Sequence, residues 1–137
     1  MQKMNTINEA TEAVGKLLKE EYSYPLAVTS LNQGRYKIMH YKNEKILVVF
    51  KREPFHSFNK QFDTDSGWGE SINKIDFDKA VEKGVRRIFF CYNDGKIYVI
   101  HYQTILKNAQ VRTTDNEGKE TYSFDIKLLN RYKEDKK

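Results

Sequence analysis

The sequence predicts one α/β (α+β) domain: a mixed central β-sheet flanked by helices, in the order α-β-β-β-α-β-β with a C-terminal appendage. Three observations predict it. An amphipathic helical stripe opens the chain. The run Ile46-Leu47-Val48-Val49-Phe50 is apolar on both faces, as a central strand covered by helices should be. The segment from that run to "RRIFFCY" (86–92) is long enough, and helical enough, for a parallel crossover. The length of 137 residues suits a single core.

Each element has a local reason. Thr6 and Glu9 form a capping box, after which Ile7, Ala10, Val14, Leu17 and Leu18 recur at helical spacing to about Tyr22. "LAVTSL" (26–31), residues 36–41 and residues 46–50 read as three strands joined by turns at "NQG" and "KNEK". Residues 54–69, "PFHSFNKQFDTDSGWG", match neither helix nor strand, and a long irregular stretch in a compact domain is usually functional. A helix over roughly 73–83 ends at Gly84. Asn93-Asp94-Gly95 then turns "RRIFFCY" into "KIYVIHY" as a hairpin. The core so far spans about 6–102. The appendage, 103–130, holds a helical turn, a weaker hairpin around Asn116-Glu117-Gly118 and a short helix; 131–137 is a frayed, charged tail.

Composition narrows the chemistry. Charged residues make up 31% of the chain with both signs interspersed, and the net charge is +5, which suits a polyanionic partner. Cys91 is the only cysteine, so neither a disulfide framework nor a thiolate zinc site forms within one chain. It lies in an apolar run and reads as a buried hydrophobe. The start "MQKMNTINEA" has no apolar signal core and no stretch reaches transmembrane length, so no membrane contact and a reducing, cytoplasmic setting are expected. His40, His56 and His101 have no metal-ligand spacing, and "GWG" at 67–69 is too short to cradle a phosphate.

The hairpin over residues 36–53 carries a further pattern. Tyr36-Lys37 precedes Val49-Phe50-Lys51 by about a dozen residues, between an opening helix and a following helix with two strands. In element order and spacing over about 6–102, this resembles the PD-(D/E)XK, restriction-endonuclease-like superfamily, and within it the archaeal Holliday-junction resolvases. The resemblance implies that Tyr36-Lys37 stands where the family has Pro-Asp, and Val49-Phe50-Lys51 where it has Glu-x-Lys. Only Lys51 matches; Lys37 and Val49 replace both metal-binding acids. In some members the glutamate has moved to the following helix, and Glu70 falls near that helix's expected start. There it would equally serve the helix dipole.

Three functional expectations follow. The first is a nucleic-acid-binding protein, DNA being the expected partner, without the usual catalytic acids. Lys37, Lys51 and Arg52 would meet phosphates, and the aromatic loop, with Lys60 and Trp68, would position the nucleic acid. The second is a Mg²⁺-dependent endonuclease with relocated ligands, Glu70 and Asp63 or Asp65, beside Lys51. The third is an interaction or homodimerisation module using the loop 54–69, whose Phe55, Phe58, Phe62 and Trp68 would otherwise fold back onto the core.

Overall fold

A computed structural model of the chain describes residues 3–19, 22–55, 69–113 and 117–132. Helix α1 (Ile7–Leu18) begins at Thr6, whose hydroxyl accepts the Glu9 N–H at 3.1 Å. The Glu9 carboxylate accepts from the Asn5 N–H at 2.7 Å, so the return arm reaches one residue before the cap. Ala10, Val14 and Leu18 form its buried stripe.

Strands β1 (Ala27–Leu31), β2 (Tyr36–His40) and β3 (Lys45–Lys51) form an antiparallel meander. The next two elements are strand β4 (Gly69–Asn73) and helix α2 (Lys74–Glu82), the latter capped by Asn73. The chain then returns as β5 (Val85–Tyr92), parallel to β3, and β6 (Ile97–His101) completes a hairpin. Helix α3 (Tyr102–Asn108), strands β7 (Gln110–Thr113) and β8 (Glu120–Asp125), a 3-10 turn and the short β9 (Asn130–Arg131) finish the described chain. The strands make a six-stranded mixed sheet, β1-β2-β3-β5-β6-β9, and a three-stranded antiparallel sheet, β4-β8-β7. The α+β architecture expected from the sequence is therefore present.

Because side chains alternate along a strand, β3 and β5 divide between two cores. Ile46, Val48, Phe89 and Cys91 pack beneath α1 with Met39 and Tyr41. Leu47, Val49, Ile88, Phe90 and Tyr92 face α2, α3 and the second sheet, with Tyr36 and Ile38. Phe124, Ile126 and Leu129 are buried in that second core, so the C-terminal segment builds the fold as well as extending it.

Two details correct the sequence reading. Residues 69–73 form a strand, so Glu70 sits in the second sheet and not in the first turn of a helix. Its side chain therefore meets other partners than a helix dipole. The β3–β5 ladder also slips by one residue: Lys45 pairs with Val85 but Ile46 with Arg87. Arg86 is the extra residue of a bulge, which lets Val85 enter the second core while Arg87 turns to the α1 face. Among the described residues, no helix is long and apolar enough to cross a membrane.

Candidate functional site

Parallel strands end side by side, and the carboxyl ends of β3 and β5 are Lys51 and Tyr92, paired in register. In open α/β sheets ligands settle at such ends. Glu70, on β4, reaches this point from the second sheet. Its side chain is 2% exposed, and Oε1 lies 3.2 Å from the Lys51 ammonium, itself 19% exposed. Oε1 also accepts the Ser71 N–H at 2.9 Å, and Oε2 accepts the Tyr92 hydroxyl at 2.7 Å. The Lys51 ammonium donates in addition to the Ser71 carbonyl at 2.9 Å and stands 5.7 Å from the centre of the Phe90 ring. Burial, followed by the adjacent Glu70 carboxylate, pushes the Tyr92 phenol far above its ordinary value and keeps it a donor.

Lys51, alone of the three, also lines a cleft of about 720 Å³ formed by the start of α1, the β1–β2 turn and the end of β3. Arg35, Lys51, Arg52 and Glu53 bring charges to it, and Asn5, Asn32 and Gln33 bring amides. The turn is held in an unusual conformation: Asn32 and Gln33 have φ of 54° and 56°, followed by Gly34 at 91°. Left-handed backbone is costly for a residue like Gln33, and such strain gathers at functional sites. Asn32 is fixed from below by its bond to the buried Asp76 carboxylate on α2, at 3.0 Å. Arg35 and Arg52 are exposed, and neither is ion-paired with a carboxylate of the described residues.

The structure sorts the residues singled out by sequence. Lys51 and Glu70 come together, with Val49 on the same face of the sheet. Lys37 does not join them. It pairs in register with Val48, whose side chain lies in the α1 core, and its ammonium donates to Ser30 at 2.8 Å on that opposite side. A phosphate site shared by Lys37 and Lys51 is therefore excluded. Tyr36 and Ile38 are the β2 residues in the core on the site face, and the Tyr36 phenol is pushed up by burial and the nearby Asp76 carboxylate. Arg52 lines the cleft. Lys60, Asp63, Asp65 and Trp68 lie outside the described residues, as do His56, Phe58 and Phe62. Phe55, the described aromatic of that loop, stacks on Tyr98 at 3.9 Å and packs edge-on to Tyr92, so it caps the core. His40 hydrogen-bonds Thr29 at 3.1 Å, and His101 caps α3.

The described residues alone do not fit a hard divalent cation. Mg²⁺ wants carboxylate oxygens and water. Both Glu70 oxygens already accept strong hydrogen bonds, and its charge is matched by Lys51. Among the described residues no three His, Cys, Asp or Glu side chains cluster to hold a metal.

Sequence reasoning missed Arg35, Tyr36 and Tyr92. Tyr36 was discoverable, because its alternation with Ile38 marks the buried face of β2. Tyr92 was not, since its place beside Lys51 depends on the parallel register. No family model, no curated protein and no solved structure matches the chain.

Proposed function

We propose that the chain binds nucleic acid, DNA in particular, on a nuclease-like scaffold that lacks the usual catalytic acids. The observation that carries the reading is Arg35 and Arg52, exposed on one cleft and unpaired with any carboxylate of the described residues. Guanidinium groups in that state suit phosphate oxygens, which accept their forked donors. Lys51 takes a different role from the one its position suggested. Its charge is engaged by Glu70, so it holds the floor of the cleft while the arginines meet the backbone. The amides of Asn5 and Gln33 on the same cleft offer further donors.

Fluorescence anisotropy with single-stranded, duplex and branched DNA over a salt series tests this. Affinity should fall linearly on logarithmic axes. Arg35→Ala with Arg52→Ala should flatten the slope by about 2, close to one counterion per lost phosphate contact. Lys37→Ala, on the other face of the sheet, should leave the slope as it was. Binding that keeps its full slope without both arginines would sink the site.

One observation favours a second reading, a Mg²⁺-dependent endonuclease: Lys51 and Glu70 lie 3.2 Å apart at the strand end. Its remaining candidate ligands, Asp63 and Asp65, lie outside the described residues. Nicking that requires Mg²⁺ or Mn²⁺ and disappears in Glu70→Ala would support it. DNA of every form left intact with either metal would remove it.

A further inference from the structure

Four strands, β1, β9, β4 and β7, end the two sheets, and they differ in protection; β4 is largely buried, and its Ser71 carbonyl accepts from Lys51. β9 is two residues long, and short edges template little. β7 carries Arg112 and Gln110, polar side chains that blunt its edge. β1 is longer than β9 and, unlike β7, carries no charged side chain, its polar residues being Thr29 and Ser30. It ends the six-stranded sheet, residues 27–30 are all exposed, and residues 25–31, "PLAVTSL", contain no charge. Tyr24, Leu26 and Val28, beside and within it, are 74%, 75% and 48% exposed. They are three of the six large exposed hydrophobics among the described residues. Beside them a groove of about 470 Å³ runs between α1 and β1, floored by Gly15 and Met39 and lined by Tyr24 and Val28. Gly15 in mid-helix costs about 1 kcal/mol relative to alanine, and the absence of its side chain keeps the groove open.

We propose that β1 pairs antiparallel with β1 of a second copy about a two-fold axis, joining the two six-stranded sheets into one. The edge is self-complementary for this arrangement. Uncharged side chains meet uncharged side chains at the axis, and each backbone offers the donors and acceptors the other lacks. The groove walls carry Glu12, Lys16 and Lys19, with Glu12 towards one end and Lys19 towards the other. A two-fold axis reverses the second copy, so the acidic end of one groove lies towards the basic end of its mate. A foreign strand would find the same open backbone without that reciprocity. The residues of this interface are not those that line the DNA cleft.

Sedimentation velocity on the full chain over a concentration series tests the proposal. A monomer–dimer equilibrium is expected, and Val28→Lys should weaken it at least about tenfold by placing like charges at the axis. The circular dichroism and melting temperature should stay unchanged, since Val28 is already half exposed. Leu106→Lys, at an exposed residue of α3, should leave the dimer intact. A wild-type monomer throughout, or a dimer indifferent to Val28→Lys, would overturn the proposal. A cysteine scan gives an independent check. Residues directly opposite in an antiparallel pair share a face, so one residue of β1 lies opposite itself at the axis. Single cysteines at 26, 27, 28, 29 and 30 should therefore give one strongly favoured intermolecular disulfide. Native Cys91 is fully buried and stays out of the reaction. No favoured position would count equally against the pairing.

Discussion

A carboxylate, a cation and a phenol meet twice in this molecule. At one end of the β3–β5 pair, on the α1 face, Glu44 accepts Arg87 Nε at 2.6 Å and Nη2 at 3.0 Å. It also accepts the Tyr22 hydroxyl at 2.6 Å, and Arg87 Nη2 donates to that hydroxyl at 3.0 Å. At the other end, on the opposite face, Glu70 accepts Lys51 and Tyr92. Carboxylate, cation and phenol recur, with different results. The guanidinium fork makes two parallel bonds to one carboxylate. The ammonium is a point charge that also reaches the Ser71 carbonyl, and Lys51 itself lines an open cleft. Residue types alone do not separate a lock from a site; the geometry of the cation and the space beside it do.

The largest test of that contrast removes each cation. Lys51→Met takes the Lys51 charge away from the buried Glu70 carboxylate and should cost about 3–5 kcal/mol in urea unfolding. Arg87→Met leaves Glu44 at 15% exposure and still bonded to Tyr22, so the loss should be about 1–3 kcal/mol. Equal losses would break the comparison. A milder change sharpens it. Arg87→Lys keeps the charge and forfeits the fork, and should cost about 1 kcal/mol by the same measurement.

Acidity supplies a third, smaller effect. Burial alone would raise the Glu44 pKa, but hydrogen bonds from Arg87 and Tyr22 outweigh it and hold the carboxyl below its ordinary value. A depressed folded pKa means stability that is fully present above the ordinary carboxylate value and lost as pH falls through the folded one. Unfolding measured from neutral pH downwards should therefore show an acid limb in the wild type that is shallower in Glu44→Gln. Identical limbs would show that other carboxylates set it.

The smallest effect concerns Tyr41, which packs against Tyr22 beside the first triad. Its buried hydroxyl has no hydrogen-bond partner among the described residues. Tyr41→Phe removes that orphan group, so stability should hold or rise by up to about 1 kcal/mol. A clear loss would mean that the hydroxyl does find a partner.

Much of the frame was legible because its signals are local. Thr6 and Glu9 announce α1, Asp94-Gly95 turns the β5–β6 hairpin, and the run 46–50 identifies the strand at the sheet's centre. Strand β4 was hidden because its inner face in "GESIN" pairs Glu70 with Ile72, and a buried glutamate breaks the apolar alternation that marks a strand. Half the site could be read: the sequence named Lys51 and Glu70, although it put Glu70 on the wrong element. Lys37 misled because its face depends on the pairing across the turn at 41–44, which sets it opposite Val48 and not Val49. A one-residue choice of register decides the side of a sheet, and no single residue records it.

The bulge at Arg86 carries a consequence for chain length. Val85 lies in one core and Arg87 turns towards the other, as adjacent residues of a regular strand would if Arg86 were absent. Removing that residue would therefore leave both faces of β5 correctly occupied. A shorter version of the strand is compatible with the same sheet, whereas a deletion further along, between Ile88 and Tyr92, would exchange its two faces. Arg86 is thus a point where this backbone can gain or lose a single residue during descent without rephasing its core.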